Sequence, residues 1–405
     1  MLKTLRSVLR FRRFEFDSVK RRLARAASVA DLRTISRRRL PGGVFDYIDG
    51  GAEDEIAMAR NADAYRRIEF RPRVLQGVGD ADPATTLLGR PLAFPLVLAP
   101  TGFSRMAHPE GELAVARAAE RSGVPYALST LATRSIEEVA AVSSGALWFQ
   151  VYVWRDRGLV KEMIRRAAES GYETLCLTVD ATVLGRRERD VRRGFTLPPK
   201  LGLDTVIDGI LHPGWTWDFV RSDPIVFANV TGQAFGDGTD AVSLAEYVNG
   251  QFDPALSWRD LEWIRSVWDG PIVIKGIQSV EDAVDAAAEG VDAIVVSNHG
   301  GRQLDSAPAT LDLIPPIADA VGDRLEVVVD GGIRRGADIV KALALGARAA
   351  MAGRAYLYGL GAGGERGVDQ VLGMLESGVR RTMTLVGAAK VGDLSRDHVS
   401  FRETS

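Results

Sequence analysis

From Leu92 onward the chain alternates short apolar runs with stretches of helical periodicity, and it does so eight times. The runs are LAFPLVLAP (92–100), PYALS (125–129), LWFQVYV (147–153), ETLCLTVD (173–180), PIVIKG (271–276), AIVVSNHG (293–300), EVVVDGG (326–332) and AAMAGR (349–354). They are apolar throughout, as in strands of a parallel sheet covered on both faces, and do not alternate as strands with one wet face would. Between most of them lie segments such as GELAVARAAERSG (111–123) and GADIVKALALG (336–346), apolar at helical spacing and closed by Gly. Eight strand–helix units in about 250 residues predict an α/β fold, a (β/α)8 TIM barrel.

Two regions do not fit a minimal barrel. Residues 28–75 predict an N-terminal helical preface, with Asp31 and Ser36 as turn or cap residues. Between the fourth and fifth runs lie about ninety residues where other units need two to three dozen. The excess, about 185–256, is an insertion after strand 4. It holds Pro198-Pro199, His212-Pro213-Gly214-Trp215 and Gly236-Asp237-Gly238. Its stretch 206–220 is rich in apolar and aromatic residues (Ile207, Ile210, Leu211, Trp215, Trp217, Phe219, Val220). Packing over the barrel and docking on a membrane both account for that stretch. The expected organisation is an extension (1–27), one domain (28–395) with the barrel starting near 92, and a tail (396–405).

Charge is balanced overall but unevenly placed. Residues 1–25 hold nine Lys or Arg against Glu15 and Asp17, or +7, so the rest of the chain carries −9. With Leu2, Leu5, Val8, Leu9 and Phe11 among those charges, this arm fits either an anionic membrane surface or a subunit-packing role. No motif that reads nucleic acid accompanies the charge. No apolar run is long enough to span a bilayer, and the N-terminus lacks the apolar core and cleavage site of a secretory signal. The single cysteine, Cys176, lies inside an apolar run. It excludes an internal disulfide, offers no cysteine cluster for a metal, and fits a reducing, cytoplasmic compartment.

In barrels of this kind the chemistry sits at the C-terminal ends of the strands. Here those ends carry Pro100-Thr101-Gly102, Ser129-Thr130, Gln150 and Tyr152, Thr178 and Asp180, Lys275, His299 and Arg302, Asp330-Gly331-Gly332, and Gly353-Arg354. The sixth is the most telling: SNHGGRQLD (297–305) places an imidazole and a guanidinium three residues apart. The first can take a proton near neutral pH, and the second forks onto a carboxylate. Together they point to chemistry at a carbon beside a carboxyl group. DGGIRRG (330–336) and AGRA (352–355) occupy the usual phosphate position of the fold. Asp330 suits a ribityl or ribose hydroxyl, so a phosphorylated cofactor is expected. No GxGxxG stands in a Rossmann setting. Lys275 reads as a cation beside a reduced cofactor ring or, alternatively, as a Schiff-base lysine.

From about 28 to 395 the chain resembles the FMN-dependent α-hydroxy-acid dehydrogenases and oxidases. SNHGGRQLD matches the family's active-site signature, and FDYIDGGAEDE (45–55), APTGF (99–103), LWFQVYV, LTVD, VIKGI (273–277), DGGIRRGADIVKALALGA and GRAYLYGL (353–360) follow in family order. Segment 251–277 resembles bacterial respiratory L-lactate dehydrogenases, and 208–220 resembles both these and mandelate dehydrogenase. The resemblance implies bound FMN and a role for each matching residue. His299 would be the base and Asp180 the carboxylate that holds it. Arg302 and Arg187 would bind the substrate carboxylate with Tyr47, and Tyr152 would bind the hydroxyl or keto oxygen. Lys275 would lie beside the flavin ring. Thr101, Gly102, Ser129, Gln150, Thr178 and Ser297 would make the remaining ring and ribityl contacts. Asp330, Gly331, Gly332, Arg334, Gly353 and Arg354 would hold the ribityl-phosphate end.

Some positions vary within the family. Gly102 stands where oxygen-using oxidases usually carry Ala, which implies transfer of electrons to quinone or another acceptor. Leu131 replaces the Trp of glycolate oxidase and makes room for more than a two-carbon acid. Ala181-Thr182 follows LTVD where relatives often have Pro second, with the Asp180–Arg187 spacing retained. The expected reaction is L-lactate to pyruvate by a cytoplasmic homotetramer, peripheral on the inner face of the membrane and without a metal. A mandelate-type dehydrogenase, an oxygen-using 2-hydroxy-acid oxidase and a tailoring enzyme on a peptide or natural product are the alternatives.

Overall fold

The computed structural model describes residues 15–193, 202–230 and 250–402. Every one of the eight apolar runs contains a strand: β1 (Leu96–Leu98), β2 (Tyr126–Ser129), β3 (Leu147–Tyr152), β4 (Thr174–Thr178), β5 (Ile272–Ile277), β6 (Ala293–Val296), β7 (Glu326–Asp330) and β8 (Ala349–Ala352). Each pairs in parallel with its chain neighbours, and β8 pairs with β1 to close the barrel. Closure leaves no strand edge.

The apolar runs divide into two layers. Val97, Ala127, Trp148, Cys176, Val273, Val295, Val328 and Met351 point inward and fill the barrel, the indole offset by small neighbours such as Ala127, Ala293 and Ala349. A hairpin of Thr85–Leu87 and Arg90–Leu92 sets Leu87 and Leu92 against the same cluster. Alternate residues, among them Leu96, Leu128, Phe149, Leu175, Ile274, Ile294 and Val329, pack outward under the helices. Cys176 is fully buried, and burial pushes its thiol up to about 12, so it is inert packing.

Helix α1 (Ser18–Leu23) lies in the extension, and the preface holds helices α2 (Val29–Arg39), α3 (Gly42–Asp49) and α4 (Ile56–Arg67). Asp31 acts as a cap residue: Ser28 Oγ and the Ala27 N–H donate to its carboxylate at 2.8 and 3.0 Å, while its own N–H returns to Ser28 Oγ. Ser36 does not cap or turn. It lies buried inside α2, where a Cβ on Gly361 would come within 2.3 Å of its Oγ, so close helix packing selects a small side chain there. Residues 15–27 are part of this packing, with Leu23 buried against the chain near Gly363. At the other end Val399–Phe401 pairs antiparallel with Ile68–Phe70.

Asp49 locks the preface to the barrel. It accepts two bonds from Arg33 at 2.6 and 2.7 Å, one from Tyr358 at 2.7 Å and one from Arg189 at 3.0 Å. Burial alone would raise its pKa. The Arg33 and Tyr358 bonds reverse that and hold it at about 2.

After a short helix at Glu188–Arg192, the described part of the insertion carries helices α5 (Leu203–Leu211) and α6 (Pro213–Arg221). Trp215 packs inward, its indole N–H donating to the Met106 carbonyl at 2.8 Å. Arg105 donates to the Asp223 and Pro224 carbonyls at 2.6 and 3.1 Å. Leu203, Val206, Ile207, Ile210, Leu211, Trp217, Phe219 and Val220 face solvent. Pro198-Pro199, Gly236-Asp237-Gly238 and the basic residues of 1–14 lie outside the described residues. Among the described residues no helix is long and apolar enough to cross a membrane.

Candidate active site

One long cavity opens at the C-terminal ends of the strands, floored by them and roofed by the preface and the insertion. Seventeen residues assigned to a site on sequence line it: Tyr47, Thr101, Gly102, Ser129, Gln150, Tyr152, Thr178, Arg187, Lys275, His299, Arg302, Asp330, Gly331, Gly332, Arg334, Gly353 and Arg354. The other two, Asp180 and Ser297, stand immediately behind and bond to those that do.

The imidazole is held in a strained loop. His299, Gly300 and Gly301 all have positive φ, at 57°, 66° and 73°. For a side chain with a Cβ this costs about 1–3 kcal/mol, which the surroundings must offset. They do so through a buried reciprocal amide pair. Asn61 Nδ2 donates to Asn298 Oδ1 at 2.7 Å, Asn298 Nδ2 donates back at 3.0 Å, and the Gly301 N–H also reaches Asn298 Oδ1. His299 Nδ1 then meets Asp180 Oδ1 at 3.0 Å, which leaves Nε2 available to the cavity. Asp180 is almost fully buried, and its second oxygen has no partner. The carboxylate therefore fixes the ring orientation and can stabilise an imidazolium.

Beside this pair lies a cationic niche. Arg302 donates to the Tyr47 and Gly50 carbonyls at 2.7 and 2.9 Å and lies over the Tyr47 ring at 5.1 Å. Arg187 lies over the same ring at 5.4 Å and contacts Asp190 at 3.4 Å. Burial, and then the charge of Arg187, lower the pKa of Arg302, so an anion placed between the two guanidiniums would be strongly favoured. Burial, with Asp180 nearby, keeps the Tyr152 phenol protonated and able to donate.

On the opposite side Lys275, Ser297 and Asp330 form a buried triangle. Lys275 Nζ is 2.9 Å from both Asp330 Oδ2 and Ser297 Oγ, and Ser297 Oγ donates to Asp330 at 2.8 Å. Burial opposes the Lys275 charge, but Asp330 and Asp180 outweigh it and raise its pKa, whereas Asp330 is lowered by the same pairing. This ammonium stays protonated, which argues against a Schiff-base role. A bulge after Lys275 sets its position. Gly276 has φ 119°, and a Cβ there would strike Asp180 at 2.7 Å, so only glycine lets the two strands bring Lys275 and Asp180 together.

The remaining wall suits a large phosphorylated ligand. Gln150 Nε2 and Thr178 Oγ1 are buried and have no partner, as polar atoms awaiting a heteroaromatic ring would be. At the far end the helix Arg354–Gly363 begins at Gly353 with no side-chain cap, presenting free N–H groups near Arg334. Arg354 commits its guanidinium to the Ile48, Gly300 and Gly50 carbonyls, at 3.2, 2.7 and 2.6 Å, and so stitches the preface to the His299 loop. Residues 36–401 match the model of the FMN-dependent dehydrogenases.

The chain belongs to the FMN-dependent dehydrogenase family. It is 45% identical to the L-lactate dehydrogenase of Caulobacter vibrioides over 93% of this chain and 98% of that one. It is 43% identical to that of Vibrio cholerae over 92% and 98%. Among solved structures, a monotopic membrane protein, (S)-mandelate dehydrogenase, superposes with a TM-score of 0.88 at 40% identity, covering 93% of this chain and all of the other. The chain is thus an oxidoreductase that uses FMN to oxidise a 2-hydroxy acid, and the orphan polar atoms, uncapped helix and buried cation fit that cofactor.

Sequence reasoning missed several residues that shape the cavity. Phe227 and Phe252, from the far end of the insertion, line it together with Phe103 and Leu184. Phe103 and Phe227 meet edge to face at 4.8 Å, and Tyr152 meets Phe252 at 5.3 Å. No local signal marks them, since their places depend on how the insertion returns to the barrel. Gln303 was legible as part of SNHGGRQLD but not as a clamp. Its amide donates to the Asp180 and Val183 carbonyls at 3.0 and 2.9 Å and accepts from the Gly185 N–H. Asp305 caps α4 by accepting the Asp54, Ile56 and Ala57 N–H groups.

Proposed function

We propose that the protein oxidises L-lactate to pyruvate and passes the electrons to a membrane quinone. The observation that carries this reading is the His299–Asp180 pair set beside the Arg302–Arg187–Tyr47 niche in one cavity. Arg302 and Arg187 hold the substrate carboxylate in charge-assisted bonds, which orients the α-carbon. Tyr152 donates to the hydroxyl oxygen. His299 Nε2 takes one of the two protons that leave the substrate, and Asp180 stabilises the resulting imidazolium. When bound, FMN accepts the two electrons, and the Lys275 charge favours its reduced form. Ser129, Gln150, Thr178 and Lys275 would hold its ring, and Gly331, Gly332, Arg334 and the Gly353 helix start its ribityl-phosphate.

Lactate is supported by the names of the bacterial relatives. A mandelate-type substrate is the second reading, favoured by the aromatic walls Phe103, Phe227 and Phe252 and by the solved neighbour. Steady-state rates across L-lactate, longer L-2-hydroxy acids and (S)-mandelate, with a quinone analogue or oxygen as acceptor, test the proposal. The expected order puts lactate first and the quinone analogue ahead of oxygen. A preference for mandelate selects the second reading, and rapid peroxide formation selects an oxidase. Arg302→Met should abolish productive binding, whereas Arg302→Lys keeps the charge, loses the fork and retains a little activity.

The electron acceptor and location form one proposal. The exposed apolar side chains of α5 and α6 support contact with the inner membrane surface, where a quinone is within reach. Gly102 also supports a non-oxygen acceptor. A Cβ there would press on the Leu131 carbonyl and Cβ at 3.1 and 3.2 Å. Gly102→Ala should therefore change the ratio of quinone to oxygen turnover.

A further inference from the structure

On the outer face of the preface, away from the barrel mouth, a surface cavity of about 590 Å³ is lined by Ser18, Arg21, Arg22, Arg25, Asp31, Thr34, Ile35 and Arg38. Four guanidiniums share it with one carboxylate. That carboxylate is engaged: Asp31 accepts from the Ala27 N–H and Ser28 Oγ at the start of α2. The other nearby acids are also taken. Glu15 pairs with Lys20 at 2.9 Å, Asp17 with Arg366, and Asp218 with Arg39 at 2.8 Å. Among the described residues, Arg22, Arg25 and Arg38 have no carboxylate within ion-pair distance.

Such a cluster repels itself. Arg22 is half-buried, and burial, followed by the charge of Arg366, lowers its pKa; Arg39 beside it is lowered by burial and then by Arg22. Arg22, Arg25 and Arg38 thus share one cavity with no carboxylate of their own among the described residues, an arrangement that a multivalent anion would relieve. The segment before Glu15 cannot supply that anion. Residues 1–14 contain Lys3, Arg6, Arg10, Arg12 and Arg13 and no acid. Forked N–H donors converging on a concave space of this size match tetrahedral phosphate oxygens.

We propose that this cavity is a binding site for a phosphate-bearing anion, distinct from the flavin cavity and held by Arg22, Arg25 and Arg38. It does not depend on the identity of the substrate or on membrane docking by the insertion.

The test uses the full chain saturated with FMN, so that the flavin's own phosphate position is filled. Inorganic pyrophosphate is titrated calorimetrically against the wild type, Arg22→Gln and the double variant Arg25→Gln/Arg38→Gln. Arg25 and Arg38 are exposed, so the double variant should fold, and its flavin absorbance and circular dichroism check this. One saturable site is expected in the wild type, weakened about ten- to a hundred-fold by loss of the charge-assisted bonds. A parallel arm separates sources. Sedimentation with phosphatidylglycerol vesicles but not phosphatidylcholine, reduced in the double variant and competed by pyrophosphate, assigns the anion to a lipid headgroup. Pyrophosphate binding without vesicle capture assigns it to a soluble phosphate. Equal pyrophosphate affinity in wild type and double variant, or no saturable binding at millimolar concentration, overturns the proposal.

Discussion

The barrel mouth and the inserted helices break the usual division of inside and outside in opposite directions. At the mouth, Lys275, Asp330, Asp180 and Arg302 are charged side chains buried among apolar strands, each with specific partners. On α5 and α6, Ile207, Ile210, Leu211 and Trp217 are apolar side chains left in water. Buried charge is costly unless paired, and exposed apolar surface is costly unless covered. The mouth pairs Lys275 with Asp330 and His299 with Asp180 within the chain, and leaves the Arg302–Arg187 niche, Gln150 Nε2 and Thr178 Oγ1 for ligands. The described part of the insertion leaves these side chains uncovered, which fits the proposed contact with a membrane surface. Perturbing each region should therefore move different observables.

The largest effect is expected at the mouth. His299→Gln should keep flavin bound and lose turnover by about 10²–10⁴-fold or more, since general-base removal has that cost. Flavin absorbance and single-turnover reduction check this, and near-normal reduction would move the base elsewhere. Next, Lys275→Met leaves the buried Asp330 carboxylate without its cation, which should destabilise the fold by about 3–5 kcal/mol. The deficit, measured by chemical denaturation, should narrow in acid as Asp330 takes up a proton.

A smaller effect is expected at the support of the mouth. Asp49 has a lowered pKa in the folded protein, so its contribution is present above the unfolded value near 4 and lost as pH falls through about 2. The shift corresponds to about 2 kcal/mol. Asp49→Asn should remove that part of the acid dependence between pH 4 and 2, and an unchanged acid transition would contradict the assignment. The smallest effect on turnover should come from the insertion. Ile207→Asp/Ile210→Asp should leave soluble lactate turnover within about two-fold, since such surface changes alter stability little, while abolishing sedimentation with vesicles. Loss of both together would mean that α5 and α6 also shape the site and do not act as a separate surface.

How much could be read from the chain follows the same contrast. The barrel was legible because each strand carries its own signal, a short apolar run ended by a polar residue, and all eight runs contain strands. The site was legible where chemistry and local sequence coincide, as in SNHGGRQLD. It was not legible where long-range packing decides. Asn61 supports the His299 loop from a helix 237 residues away in sequence. Phe227 and Phe252 enter from the insertion, whose apolar pattern fits packing and exposure equally. Ser36 looked like a cap residue, yet it serves helix contact with Gly361.

The most direct measurement is anaerobic bleaching of the protein's own flavin by L-lactate, compared with L-lactamide. This single step requires the cofactor, the base and the carboxylate niche together, and it is independent of acceptor and membrane. Lactate should bleach the flavin rapidly and the amide slowly or not at all, because Arg302 and Arg187 need an anion to hold. Equal bleaching by both, or none by any L-2-hydroxy acid, would contradict this.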